Sequence, residues 1–279
     1  MLPSLSQGRL TGAPCLSTAP LAAELKDLLA PDLLAEACDT LSDLVRACGA
    51  RGDGDLDALV SDLAARDRPA LGKVYDAMRE TVVFRQIITA PELLDAAKRM
   101  TGAKRLHSPF QHAVFRMDLA GEPWRGFDWH QDYPYNMLCD RSVTAWIPLT
   151  ASGAGNGGID VVETTAAQIY PVDIRFKRDG AGRRLGGRDA FIVADHHEAF
   201  EARVRKPELR PGDVLLFHNS VPHRSGYNPG PRHRYSIQVR FGDLLALEMV
   251  ARGWRHRHAD GFEAFAAARP ELIASEETE

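Results

Sequence analysis

A chain of 279 residues, 44% hydrophobic and 26% charged, carries enough apolar material for a sizeable core and is expected to form one domain. A formal charge of -4 argues against a general nucleic-acid or membrane-surface binder, and no run approaches the roughly 20 apolar residues of a membrane helix. Four cysteines (Cys15, Cys38, Cys48, Cys139) show neither metal-type pairing nor the density of a disulfide scaffold, so a reducing cytoplasm is the expected location.

Residues 1–19 mix Pro, Gly, Ser and Thr without periodicity and read as a loose leader. From Leu21 to about Ala47 leucines recur at three- and four-residue steps, which predicts amphipathic helix, with Pro31 starting a second one. Further helical runs pass through Leu56, Leu59, Val60 and Leu63, from Pro69 through Tyr75 and Met78, and from Pro91 to a stop near Gly102. Beyond about residue 105 the pattern changes to short alternating or β-branched runs separated by Gly and Pro, which predicts sheet. The strand candidates are 112–117, 142–149, 157–163, 214–217 (after the Pro211-Gly212-Asp213 turn) and 234–241. In the last of these, Tyr235, Ile237, Val239 and Phe241 share one face while Arg234, Ser236, Gln238 and Arg240 share the other. An apolar back with a polar front fits a sheet whose outer face packs on helices and whose inner face lines a wet pocket. Helices first, then strands without intervening helices, gives an α+β protein with a β-sandwich or jelly-roll core. Its expected parts are a mainly helical 1–104, a core over 105–242 and a helical tail over 243–279.

The chemistry concentrates at Trp129-His130-Gln131-Asp132. In an extended segment His130 and Asp132 point the same way, giving two of the three ligands of the two-His-one-carboxylate triad that holds non-haem Fe(II). His223, after an apolar strand, is the candidate third ligand; His218 is its rival. Eleven positions beyond His223 stands Arg234, with Ser236 on the same strand face. Arg presents a planar fork to a carboxylate and Ser adds a hydroxyl donor, so a dicarboxylate reaching from iron to Arg234 would be held at both ends. 2-Oxoglutarate is such a molecule, with a keto-acid end for the metal and a distal carboxylate for Arg234.

Other features carry blander readings. His196-His197 suits a polar loop or sheet surface, because neighbouring strand side chains diverge, and Gly153 to Gly158 suits a tight connection, since no Lys-Ser/Thr follows. Residues 173–190 are locally basic and read either as a solvated loop or as a lid whose arginines, Arg183 and Arg184 among them, meet an anionic or polar substrate. Trp124, Phe127, Tyr133 and Tyr135 flank the His-x-Asp pair and suit pocket wall or core equally. If Ala113, Phe115 and Met117 face the helices, His112 and Arg116 face inward. Arg116, Tyr133 and Tyr135 are therefore the substrate-contact candidates.

The order His-x-Asp, then Pro-Gly-Asp before an apolar strand, then His followed by Arg-x-Ser, resembles the phytanoyl-CoA dioxygenase family of Fe(II)/2-oxoglutarate oxygenases, from about Phe110 to Phe241. Within it, His130-Gln131-Asp132 is similar to the family's His-Gln-Asp, His223-x-Ser225-x-x-Asn228 to its distal His-x-Ser-x-x-Asn, and Trp146 to the Trp ending the following strand. The resemblance implies a double-stranded β-helix (jelly-roll, cupin-like) with the N-terminal helices on the outer face of the major sheet. It implies iron on His130, Asp132 and His223, and 2-oxoglutarate near Gln131, Trp146 and Thr144. The expected activity is a dioxygenase that uses O2 to hydroxylate an unactivated C–H bond of a small molecule, releasing succinate and CO2. Desaturation, epimerisation or ring formation would use the same residues, and a non-catalytic jelly-roll protein binding iron or 2-oxoglutarate is the alternative from another class. A cupin-like metal enzyme without 2-oxoglutarate leaves Arg234 and Ser236 unexplained. Halogenating relatives replace the carboxylate ligand with a small residue; with Asp132 intact, halogenation is disfavoured.

Overall fold

A computed structural model describes residues 21–122, 126–136, 139–153, 155–254 and 262–277. The expected leader and Trp124 lie outside the described residues. The chain is a mixed α/β protein built around antiparallel sheet.

The helical part holds α1 (Pro31–Ala47), α2 (Leu56–Arg66), α3 (Arg68–Glu80), α4 (Val82–Ile88) and α5 (Pro91–Thr101). Their starts follow from local chemistry. Pro31 and Pro91 stand in the first turns of α1 and α5, while Asp55 and Asp67 accept the backbone N–H of Ala58 and Ala70 at 3.1 and 2.9 Å and so cap α2 and α3. Gly102, at φ +62°, ends α5 in the left-handed conformation.

The major sheet runs β1 (Ala22–Leu25), β9 (Val214–His218), β4 (Val143–Pro148), β11 (Arg234–Asp243) and β2 (Leu106–His107), with β3 (Val114–Asp118) also paired to β11. A minor antiparallel sheet orders β10 (His223–Ser225), β5 (Ile159–Val162) and β8 (Val204–Arg205). A third places β7 (Arg184–Ile192) antiparallel to β6 (Val172–Arg178), whose other edge takes β12 (Ile273–Glu276) in parallel. The described residues also hold the short α-helices α6 (Tyr133–Asn136), α7 (His197–Glu201), α8 (Leu247–Ala251) and α9 (Glu263–Ala268).

The outer face of the major sheet carries Phe115, Met117, Val143, Ala145, Ile147, Val214, Leu216, Ile237 and Val239, all buried in one core with the apolar stripes of α1 to α5. On the inner face Trp146, Leu215 and Phe217 meet Ile159 and Val161 of the minor sheet. Alternation thus sorts each strand into a helix-facing and a sheet-facing set.

Several local expectations differ from the structure. Leu21 to Leu25 was expected in the first helix, but Ala22 to Leu25 pairs with Phe217 to Val214 as an edge strand, and helix begins only at Pro31. The helix α4 carries Val82, Val83 and Phe84, whose β-branched and aromatic character hides helix; Thr81 accepts the Phe84 N–H at 3.2 Å and starts it. The expected helical tail contains α8 and α9 but ends in β12. Residues 173–190, expected as a solvated loop or a lid, form most of the β6–β7 hairpin around a turn at 179–183. No described helix is long and apolar enough to cross a membrane.

Candidate metal centre and its cavity

One backbone pairing brings the candidate ligands together. His130 and His223 form an isolated antiparallel bridge, each N–H donating to the other's carbonyl at 3.0 Å. Residues directly opposed in this way project side chains to the same side, and the two imidazoles stand 4.0 Å apart between ring centroids. Two residues on, Asp132 shares that side. The chain then turns at once, because the carbonyl of Asp132 accepts the N–H groups of Tyr135 and Asn136 as α6 begins. Ligand atoms of His130, Asp132 and His223 all lie within 4.8 Å of one another, and all three residues are buried.

The protonation pattern suits a metal. Nδ1 of His130 lies 2.8 Å from the carbonyl of Asp128, and Nδ1 of His223 lies 2.9 Å from that of Val221. A carbonyl only accepts, so each Nδ1 carries the proton and each Nε2 keeps its lone pair for an ion. Burial holds both imidazoles below their ordinary pKa, hence neutral. Asp132 stays ionised despite its burial because the charged, hydrogen-bonded guanidinium of Arg240 holds its carboxyl well below the usual carboxylate range.

The carboxylate of Asp132 is gripped on both oxygens. Arg240 donates from Nη2 to Oδ1 at 3.0 Å and from Nε to Oδ2 at 3.2 Å, and the Thr144 hydroxyl is hydrogen-bonded to Oδ2. Arg240 was placed by alternation on the inner face of β11, but its pairing with Asp132, 108 residues away, has no sequence signal. Thr144, expected near 2-oxoglutarate, touches the iron-ligand candidate Asp132. Gln131, expected there too, turns away. Its amide donates to the carbonyls of Gln168 and Ser220 and accepts the Tyr170 N–H at 2.9 Å, so it locks the segment behind the ligands to two loops.

The ligands open onto a cavity lined by Arg116, Asp118, Phe127, Tyr135, Trp146, Lys177, Asp189, Ser225, Arg234, Gln238 and Arg240, among others. Arg234 is 3% exposed. It donates from Nη2 to Asp118 at 2.8 Å and from Nη1 to the carbonyl of Gly158 at 2.7 Å, while its Nε–H is buried with no acceptor. The Ser236 hydroxyl, fully buried, also has no partner. Two orphaned donors on one strand face fit a carboxylate that supplies the missing acceptors. The glycine-rich connection shapes this end of the cavity. At Gly157, φ +69°, a Cβ would stand 2.3 Å from the Tyr227 backbone, so only glycine lets Gly158 present its carbonyl to Arg234.

The remaining candidates separate clearly. Arg116 and Tyr135 line the cavity; Arg116 pairs with Asp118 at 2.6 Å, and the Tyr135 hydroxyl accepts the Ala190 N–H at 2.8 Å. Tyr133 packs instead with Phe265 and the core beneath β6 and β7. Asn228 closes the turn before β11, donating to the Arg232 carbonyl at 2.8 Å. His218 is spent on Ser220 and the Asp140 carbonyl, both at 2.6 Å, and lies outside the cluster. His196 and His197 lie at α7, away from the cavity lining. Arg183 pairs with Asp179, and Arg184 pairs with Glu277 and covers the Phe176 ring, so both serve the hairpin itself.

Solved structures with related folds include the non-haem α-ketoglutarate-dependent epimerase SnoN from nogalamycin biosynthesis, at 16% identity, TM-score 0.53, and coverage of 80% of this chain and 79% of that one. The non-haem α-ketoglutarate-dependent carbocyclase SnoK of the same pathway is 17% identical, with TM-score 0.52 and 88% and 89% coverage. EctD from S. alaskensis is 15% identical, with TM-score 0.55 and 93% and 81% coverage. No curated protein matches the sequence. The sequence matches Phytanoyl-CoA dioxygenase (PhyH) over residues 22–236, more than half its length, and the chain belongs to that family.

Proposed function

We propose that the protein is an Fe(II)/2-oxoglutarate-dependent oxygenase of a small molecule, working as one domain on a double-stranded β-helix. The carrying observation is a buried His-Asp-His cluster opening onto the cavity that also holds Arg234. Family membership and the cofactor chemistry named for the fold relatives support it. The two packed sheets, with helices outside the larger one, support the jelly-roll reading.

His130, Asp132 and His223 would hold the iron. Bound iron with 2-oxoglutarate and O2 supplies oxidative decarboxylation to succinate and CO2 and the oxidising power to remove hydrogen from an unactivated C–H bond. The chain's own part is positioning. Arg240 and Thr144 hold the Asp132 carboxylate at fixed orientation, and the backbone carbonyls of Asp128 and Val221 keep Nε2 of both histidines unprotonated. Arg234 and Ser236 take the distal carboxylate of 2-oxoglutarate, and Trp146 walls the space between. Five cationic side chains (Arg116, Lys177, Arg224, Arg234, Arg240) against three anionic ones (Asp118, Asp132, Asp189) line the cavity, an excess that suits a dianionic co-substrate. Phe127, packed edge-on at 4.3 Å from His130, and Tyr135 keep water from the ligands.

Hydroxylation is the default outcome. Fold relatives named as an epimerase and a carbocyclase show that this architecture also serves other outcomes. The test is succinate release from 2-oxoglutarate by the Fe(II)-loaded protein, together with an Fe(II)-to-keto-acid charge-transfer band formed under argon. Absence of both would remove the assignment.

A further inference from the structure

Once iron and 2-oxoglutarate are assigned their residues, one carboxylate in the cavity has no task. Asp189, on β7, is 8% exposed and lines the cavity, yet its buried Oδ1 accepts no hydrogen bond. The nearest cation, Lys177 Nζ, lies 3.5 Å away on a side chain that is 47% exposed. That is beyond good hydrogen-bond length, and such half-exposed pairs are weak. Arg116, the other cation facing it, is held by Asp118 at 2.6 Å. The Tyr135 hydroxyl is committed to the Ala190 backbone, donating to its carbonyl at 3.2 Å and accepting its N–H. A buried carboxylate with an empty acceptor position costs free energy that a donor arriving in the cavity would recover. Burial also pushes the Asp189 carboxyl up from its ordinary value, outweighing the opposing charges of Lys177 and Arg116.

The position is right for substrate rather than for co-substrate. Asp189 and Lys177 reach the cavity from the β6–β7 hairpin, whereas Arg234 and Ser236 lie on β11 of the major sheet. An aromatic wall links it to the metal ligands. Phe127 stands 4.3 Å from His130 and 5.1 Å from Phe191, two residues beyond Asp189, and Ile192 donates its N–H to the Trp129 carbonyl at 2.8 Å. A molecule gripped at Asp189 therefore lies along that wall with its far end toward His130.

We infer that Asp189 is the substrate's recognition point and that the substrate carries a basic nitrogen, an ammonium or similar N–H cation, which replaces Lys177 as its partner. This rests on the oxygenase reading above and names the substrate class of that site. A neutral hydroxyl would satisfy one lone pair, whereas a cationic donor both fills the position and neutralises the charge. Lys177, diagonal to Asp189 across the hairpin, has the exposure to swing outward.

The test uses matched four- to six-carbon amines, alcohols and carboxylates as probes, with binding measured by calorimetry on the metal-free protein. Succinate release and the charge-transfer band are followed on the Fe(II)/2-oxoglutarate-loaded protein. Amines are expected to bind saturably and to shift the band. Asp189→Asn should weaken amine binding at least tenfold while leaving the band and the substrate-free rate of succinate release intact, and Lys177→Met should leave amine binding equal or tighter. A mere rim ion pair would instead make the two variants behave alike. Preference for alcohols or carboxylates, or undiminished amine binding by Asp189→Asn, overturns the inference. If no band forms in the parent protein, the oxygenase reading fails instead, and the calorimetric comparison still decides the role of Asp189.

Discussion

The two faces of β11 solve opposite problems one residue apart. Outward, Tyr235, Ile237, Val239 and Phe241 are wholly buried among the helices, where non-directional packing stabilises the protein and similar apolar shapes substitute for one another. Inward, Arg234, Ser236, Gln238 and Arg240 face the cavity side, where each arginine depends on a particular carboxylate. The outer face is therefore expected to govern how stable the protein is, and the inner face what it can bind. A register slip of one residue would exchange them, and the alternation is strict over residues 234–241.

The sharpest way to break that division is at the ligands. His130→Ala and Asp132→Ala should each abolish 2-oxoglutarate-dependent succinate release and the charge-transfer band while the protein remains folded by circular dichroism. Normal succinate release in either variant would show that the buried cluster is not the reaction centre. Next in size is Arg234→Ala. Losing one partner of a buried hydrogen-bonded charge contact costs roughly 2–5 kcal/mol, so KM for 2-oxoglutarate should rise about 30-fold or more with Fe(II) affinity unchanged. An unchanged KM would free Arg234 for a purely structural pairing with Asp118.

Arg240→Met probes a subtler role on the same face. Removing a partner that orients a metal ligand typically costs about 10–100-fold in metal affinity or activity. Fe(II) affinity should fall by that order, KM for 2-oxoglutarate should move much less than in Arg234→Ala, and Arg240→Lys should recover part of the loss. Equal effects of the two arginine variants on KM would merge them into one clamp. Ile237→Ala supplies the opposite case: it should lower unfolding free energy by about 2–5 kcal/mol, read by urea titration, and leave KM unchanged at temperatures where the protein is folded.

The sequence carried the parts whose signal is periodic or positional. The alternation of β11, the His-x-Asp spacing and the distance from His223 to Arg234 each express a geometric requirement in a few neighbouring residues, so they were legible. What stayed hidden is non-local. Arg240 meets Asp132 only because β11 passes beneath the turn into α6, and β1 is strand only because the edge of β9 is there to receive it. In the hairpin that holds Asp189, β6 does alternate, Val172, Ile174 and Phe176 against Asp173, Arg175 and Lys177. Its partner β7 has two glycines and charges on both faces, so the pair lacks the matched apolar pattern by which a hairpin is recognised. For Gln131 the strand geometry, which sends it away from its two neighbours, agrees with the observed side chain, whereas the family resemblance had drawn it toward the co-substrate.

The smallest expected effect asks whether the inner face adds any stability of its own. Asp118, buried between Arg116 and Arg234, has its carboxyl lowered from 3.8 to about 2 by those two guanidinium groups, which outweigh the opposing effect of burial. A carboxyl with a depressed folded-state pKa stabilises the protein above the unfolded-state value and loses that contribution as pH falls through the folded-state value. The contribution is therefore complete above about pH 4 and drains away toward pH 2, on the order of 2 kcal/mol from this one group. Urea unfolding of the parent at pH 5, 4 and 3 should show a steeper acid decline than Asp118→Asn, which lacks the titrating group, whatever the variant's absolute stability. Parallel declines would mean that the Arg116–Asp118–Arg234 contacts only place charges for the cavity, and that stability belongs to the outer face alone.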